Sequence, residues 1–423
     1  MGALRDPRKK DAPNITYPLE ALLFQAIGMF AFRVGSRRQI GWLLRTSAAA
    51  RTVQAAFGVD KVAHGDTVNN VVCATAPEQM QEVVCAMAET LIRKKVFAQR
   101  RLLDRYYCIA IDGTETFSFD ERHCPHCLTR TQNGKTSYYH NVLEAKLVTP
   151  DGFAISLMSE FIVNPGPNPT KQDCERKAFY RLAPRLKQRF PKLPIVLLLD
   201  ALYACGPVFD LCRRNRWKYI INLKDGSLPS VNEEFHALCE CNPGNQRRRI
   251  TGAKREVRQH LRWANDIAYV DDDKREHRLS VFECRETKPG KGGEDQTTTF
   301  RWVTNFTVKE SNVEPLANQG GRVRWKVENE GFNTQKNGGY ELEHAYTRDE
   351  QGLKNYYLIL QIVCTILQLV EKGSLLKKAF PKGLGSAKNL ARLLLEAWRT
   401  QPLSPENYRT LCDASIQIRF DTS

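Results

Sequence analysis

A chain of 423 residues with 42% hydrophobic content can bury more than one core, which excludes a disordered polymer. Its 63 Lys and Arg against 47 Asp and Glu give a net charge of +16, spread along the whole sequence rather than held in one tail. Such an excess favours a polyanionic partner, a merely basic soluble protein being the plain alternative. The thirteen cysteines are scattered, several inside apolar runs (Cys73, Cys85, Cys108, Cys205, Cys212, Cys364), which argues against a disulfide framework and for reduced thiols in a cytosolic compartment. The N-terminal stretch MGALRDPRKKDAPN has no apolar segment behind its basic residues, so no signal peptide is expected. Asp6 stands where a myristoylation motif has Ser or Thr.

From Tyr17 to Arg101 apolar residues recur at three- and four-residue steps, predicting helices over LEALLFQAIGMFAFRV, RQIGWLLRT and PEQMQEVVCAMAETLIRKKVF. Arg33, Arg37, Arg38, Arg45 and Arg51 punctuate this region, which fits a helical DNA-binding module and equally a helical cap with a solvated face. At Tyr106 the texture changes to YYCIAIDGTETF, a buried strand ending in Asp112. HNVLEAKLVTPDGFAISLMSEFIV then reads as two strands joined at Pro150-Asp151-Gly152, completing a three-strand antiparallel meander. A helix over Asp173 to Arg189 follows, and IVLLLDALYA gives a wholly apolar strand that delivers Asp200 at its end and is covered on both faces. Cys205 to Arg216 predicts a helix, and KYIINLK another strand.

Beyond Asp225 strand-like pieces alternate with loops (RQHLRWANDIAYV, HRLSVFECRET, KPGKGGEDQTTTF, RWVTNFTV), reading as a mostly β insertion to about Val308. Helical pattern returns over Asn312 to Ala317 and Gly321 to Lys336 with an NQGG break between, Trp325, Val327 and Phe332 lying on one side. The apolar run Tyr356 to Val370 is shorter than the roughly 20 residues a bilayer needs, so a buried helix and no membrane partner are expected. A loop, KKAFPKGLGSAKN, and an amphipathic helix, ARLLLEAWRT, close the chain.

Three strands, a helix, a strand, a helix and a strand, with acids ending the first and fourth strands, is the order of an RNase H-like α/β fold, a mixed sheet flanked by helices. The expected layout is a helical, DNA-binding region at 1–104, an RNase H-like core at 105–225 and 309–350 split by the β-rich insertion at 226–308 between the second and third acids, and a helical region at 351–423. In such a core the first and fourth strands are neighbours, so Asp112 and Asp200 tolerate each other only with a cation between them. Cutting a phosphodiester needs charge neutralisation on attacking and leaving oxygens, which two divalent ions held by carboxylates supply, Mg2+ or Mn2+ suiting the hard oxygen ligands. The third acid comes from RWKVENEGFNTQK, where Glu328 and Glu330 compete: two residues apart on a helix, they point about 200° apart.

Three segments, IDGTE at Asp112, LLLDALYA at Asp200 and RWKVENEGFNTQK at Glu328, resemble the DDE transposases of the insertion-sequence-four-like superfamily, a likeness covering about Tyr106 to Tyr346. That superfamily's helix reads Tyr-x2-Arg-x3-Glu-x6-Lys with Trp after the Arg, so Arg324, Trp325 and Glu328 match, and the resemblance selects Glu328 over Glu330. Gly321 replaces the Tyr and Gln335 the Lys, with Lys336 one step on. Since those two residues look to contact end DNA in the family, Arg322 and Lys336 are left to bind phosphate. The resemblance implies metal-dependent cleavage at transposon ends, with Asp112, Asp200 and Glu328 as catalytic metal ligands and Arg322, Arg324, Trp325 and Lys336 binding DNA. It implies strand transfer into target DNA by a homodimer pairing two double-stranded ends, in a prokaryotic cytoplasm at the nucleoid. A nuclease that cuts without joining and a domesticated, non-catalytic DNA-binding descendant are the alternatives.

His123-Cys124-Pro125-His126-Cys127 is a CxxC knuckle in a loop, supplying two of the four ligands a structural Zn2+ needs. His123, His126, His140 or Cys174 could complete the set, a reduced-thiol loop being the commoner outcome. Lys171, Asp173 and Glu175 precede a helix, where acids cap the N-terminus, a supporting role beside a metal being the less common alternative. His64, His236 and His260 have no partner spacing.

Overall fold

The apolar and alternating segments in the middle of the chain become neighbouring strands of one mixed sheet. The computed structural model describes residues 4–9, 15–167, 169–252, 256–290, 294–414 and 419. Residues 1–3 and 10–14, on which the absence of a signal peptide was argued, lie outside them. Ten strands pair in this sheet: β1 (Tyr107–Phe119), β2 (Leu128–Gln132), β3 (Lys135–Val148), β4 (Ala154–Ile162), β5 (Ile195–Leu199), β6 (Lys218–Asn222), β7 (Gln246–Thr251), β8 (Val257–Val270), β9 (Glu276–Pro289) and β10 (Asp295–Thr304). The order is β2-β3-β1-β5-β6-β10-β9-β8-β7, with β4 also on β3. β1, β3 and β4 are antiparallel, β1, β5 and β6 are parallel, and β10 returns antiparallel to β6.

β5 is fully buried along its length because both of its faces are covered. Ile195, Leu197 and Leu199 enter a core shared with α6 (Glu175–Arg189) and α7 (Gly206–Asn215), while Val196 and Leu198 enter the opposite core. Each such side chain contributes roughly 1.5–3 kcal/mol on burial. That opposite core is closed by a helical ladder of irregular pitch from Glu310 to Asn337, with π winding at Leu316–Gly320 and Val327–Asn333 and 3-10 winding at Gly321–Trp325. The ladder runs through the expected NQGG break. Val327 and Phe332 are buried as expected, whereas Trp325 lies 43% exposed, off the apolar side.

Four elements depart from the sequence expectation. β1 does not end at Asp112: its parallel pairing with β5 stops at Ala110, and the strand continues on β3 to Phe119. β3 begins at Lys135 because Asn133 and Gly134, both at positive φ, close a two-residue hairpin with β2. The 226–308 segment opens with a helix, α8 (Pro229–Cys241), and its strands extend the central sheet through β10 instead of forming a sheet of their own. The apolar run near the C-terminus belongs to a mostly buried helix, Glu350–Lys372, close to the 352–371 expected; the departure is in its reach, since at 23 residues it is long and apolar enough by length and composition to cross a bilayer, with 67% of its apolar window buried inside the protein.

That long helix, α11, joins the two helical ends of the chain. It packs on α1 (Leu19–Ala31), α4 (Gly65–Ala74) and α5 (Pro77–Arg93), which with α2 (Arg37–Leu43) and α3 (Ser47–Phe57) form the N-terminal helical part. Leu22, Phe30 and Val72 share one apolar core with Leu358, Ile359 and Leu390. Short helices α9 (Glu310–Pro315) and α10 (Thr334–Asn337) start and finish the ladder, and α12 (Ser374–Ala379), α13 (Ala387–Thr400) and α14 (Pro405–Asp413) follow α11. Trp398 of α13 packs against Phe24 of α1 at 5.0 Å between ring centroids. The regions expected at 1–104 and 351–423 thus share a core.

Candidate active site

Asp112 lies on β1 two residues past the last residue paired with β5, where the strand has lost its parallel neighbour but keeps β3. Asp200 follows directly on β5 and caps a 3-10 turn, accepting a hydrogen bond from the Leu202 N–H at 2.9 Å. Glu328 comes from the ladder. Between it and Asp112 sits Arg324, whose side chain is 5% exposed: Nη1 donates to Asp112 Oδ2 at 3.0 Å and Nη2 to Glu328 Oε1 at 2.7 Å. Its guanidinium also lies over the Trp325 ring, 4.6 Å from the centroid. A buried cation thus bridges two of the three acids singled out from sequence, which are 216 positions apart.

A fourth acid belongs to this cluster. Glu175, the first residue of α6, presses its carboxylate against the backbone beside Asp112, and a Cβ at Gly113 would overlap it. Burial and then the charge of Asp200 raise the Glu175 carboxyl above its ordinary range. Burial pushes the Asp112 carboxyl up to about 7; Arg324 opposes the shift, and Glu328 and Glu175 add to it. The Tyr203 hydroxyl, buried and without a hydrogen-bond partner among the described residues, is held well above its ordinary range by burial and by Glu175, Asp200 and Asp112. Of the two readings of Glu175 from sequence, helix capping and support beside a metal, its contact with the Gly113 backbone favours the second, since a side chain at Gly113 would exclude the carboxylate. Among the described residues the oxygens of Asp112, Asp200 and Glu328 do not come together as a set within 4.8 Å; Arg324 pairs with the first and the last, whose carboxyl groups also share a side-chain hydrogen bond.

Glu330 pairs with Lys326 at 3.0 Å and lies beside Gly152, apart from Asp112. Arg322 pairs with Glu286 and stacks on Phe300, and Lys336 pairs with Glu343 at 2.7 Å, so both basic residues hold carboxylate partners within the chain. Gly321 has no room for the family's Tyr, since even a Cβ would overlap the Trp302 ring.

A folded Asp112 that keeps its proton up to about 7, against 3.8 for the free group, binds more protons than the unfolded chain between those values. Stability therefore falls as pH rises through that window. Asp112→Asn is expected to flatten the fall in melting temperature of the metal-free chain between about pH 5 and pH 8. Thermal unfolding in chelator checks this, an unchanged slope counting against it.

A second cluster lies at the far end of β1. His123, Cys124 and Cys127 on the loop before β2 and His140 on β3 bring their ligand atoms within 4.8 Å of one another and could hold a metal ion. Cys124 Sγ is 3.4 Å from Cys127 Sγ and 3.2 Å from His140 Nε2. Cys127 Sγ is 3.4 Å from His123 Nδ1. Burial pushes the His140 imidazole down to about 4, leaving it neutral at physiological pH. The other two residues considered from sequence are elsewhere: His126 contacts the Asn164 carbonyl through Nδ1 at 2.7 Å, and Cys174 is exposed at the start of α6.

No protein-family model matches the chain, and no curated protein matches it.

Proposed function

We propose that the chain is a DNA transposase with an RNase H-like core, cutting at transposon ends and joining the freed end to target DNA. One observation carries the reading: Asp112, at the edge of the β1–β5 pairing, and Glu328, from the ladder, converge on one buried guanidinium. The strand order β4-β3-β1-β5-β6, antiparallel then parallel, supports the RNase H-like comparison. Carboxylate oxygens suit Mg2+ or Mn2+, which Asp112, Asp200 and Glu328 would hold, with Glu175 close by, once their oxygens are drawn together. Such an ion would supply activation of the attacking oxygen and charge neutralisation on the leaving one.

The chain's own residues do the rest. Asp112 must give up its proton to bind metal, and Arg324 must release Asp112 and Glu328, which frees its guanidinium to hold a phosphate oxygen of the DNA. Water then breaks the P–O3′ bond at the transposon end, leaving a 3′-hydroxyl. That hydroxyl attacks a target phosphodiester in line, expelling the target's own 3′-oxygen. The distributed charge of +16 suits two double-stranded DNA partners, end and target, and joining two ends calls for a homodimer. A prokaryotic cytoplasm, at the nucleoid, is the setting this reading implies.

The test is to incubate the full chain with DNA carrying the element's terminal repeats and Mg2+ or Mn2+. Joined products support the reading, cutting without joining selects a nuclease, and neither activity overturns it. In the same assay Glu175→Gln is expected to slow cleavage roughly 10- to 100-fold, as losing a supporting group beside a metal site does. Glu330→Gln should remain near the intact rate. Equal rates for the two variants would remove Glu175 from the site.

A further inference from the structure

We infer that His123, Cys124, Cys127 and His140 form a closed structural zinc site that fastens the loop between β1 and β2 to β3. The inference stands on the cluster alone and does not depend on the transposase reading. A tetrahedral ion with Zn–S of about 2.3 Å and Zn–N of about 2.0–2.1 Å has sulfur–sulfur and sulfur–nitrogen edges of roughly 3.5–3.8 Å. The distances found here, 3.2–3.7 Å, lie close to those edges without an ion's restraint. Two thiolates and two neutral imidazoles balance the ion's charge, which makes the arrangement tolerable where Cys127 and His140 are buried. Soft sulfur and imidazole donors select zinc over Mg2+, which prefers oxygen, and a set of four protein ligands leaves no open position for catalysis.

The surroundings are built to hold the ligands. Asn164, at the end of β4 and almost fully buried, donates from its backbone N–H to the His126 carbonyl at 3.1 Å and from Nδ2 to the Cys127 carbonyl at 2.8 Å. His140 lies opposite Phe117 in the β1–β3 register, just past the irregularity at Glu115. The ion would therefore sit where the β1–β3 pairing resumes after its bulge, at Phe117 opposite His140. Asn164 Oδ1 also accepts from the Asp173 N–H at 3.0 Å, two residues before Glu175, so the knuckle and the carboxylate cluster share one support.

The test is elemental analysis of the full chain, purified without a metal-binding tag, which should give about one zinc per chain. Exchange with Co2+ should give the absorption of a tetrahedral ion together with a thiolate charge-transfer band. His140→Ala and Cys124→Ser are expected to lose the metal, and Cys174→Ser and Asp112→Asn to keep it, the last separating this site from the carboxylates. Should the ligand variants fail to fold, titration of the intact chain with an organomercurial must release zinc in step with thiol modification. Absence of zinc, a Co2+ spectrum without sulfur character, or a Cys124–Cys127 disulfide in the purified chain would overturn the proposal.

Discussion

Asp112→Ala, Asp200→Ala and Glu328→Gln are each expected to lose both DNA cutting and joining, by on the order of 10³-fold or more. The size follows from what a metal-holding carboxylate does: losing it removes several kcal/mol of charge stabilisation in the transition state, and each 1.36 kcal/mol is about tenfold in rate. Both steps should fall together, because hydrolysis and transesterification would use the same ligands. The variants should stay folded, since none of the three side chains fills a core: Asp112 is partly exposed and paired to Arg324, Asp200 caps a short turn, and the Glu328 side chain is 39% exposed. Circular dichroism and gel filtration check folding beside the labelled-DNA assay. Near-normal activity in Asp112→Ala or Asp200→Ala would sink the proposed site.

The second large effect concerns stability. Glu144 and Lys146 on β3 are both fully buried, 3.7 Å apart. Glu144 accepts hydrogen bonds from Ser159 at 2.7 Å and Tyr357 at 2.8 Å and another from Ser156, while Lys146 Nζ donates to Gln361 at 2.5 Å. Lys146 also lies over the Phe332 ring, four residues beyond Glu328, so this pair ties the sheet to α11 and to the ladder. Removing one member leaves a buried charge unmatched, and Lys146→Met is expected to cost about 3–5 kcal/mol, read as a lower midpoint in denaturant unfolding. Adding Glu144→Gln should recover much of that loss, because no unpaired charge then remains. A loss under about 1 kcal/mol in the single variant would mean the pair is not held as described.

What could be read from sequence depended on whether the signal was local. IVLLLD shows its strand, its double burial and its terminal acid within six residues, and the structure has β5 fully buried with Asp200 following it. The extent of β1 was less legible, because beyond Asp112 its alternating Thr, Glu and Phe are held by β3 alone, and nothing local marks where the β5 pairing stops. The β2–β3 hairpin was available in Asn133-Gly134 and was overlooked. α8 was legible in principle, with Val231, Phe235, Leu238 and Cys239 at helical spacing and packed on the core, a local stripe that the strand-like texture following it obscured. The CxxC half of the His/Cys cluster is local, but choosing His123 and His140 over His126 and Cys174 requires the register of β1 on β3. Glu144 with Tyr357, Lys146 with Gln361 and Asp112 with Arg324 join segments far apart in the chain, and a single sequence does not pair them.

The central claim is that these carboxylates hold a divalent metal once Arg324 gives way. Mn2+ binding to the full chain with its terminal-repeat DNA, followed by electron paramagnetic resonance, tests it most directly. Bound Mn2+ that is lost in Asp112→Ala and in Glu328→Gln but kept in Glu330→Gln and Cys124→Ser is the predicted result. Mn2+ bound equally well by the intact chain and by Asp112→Ala would contradict it.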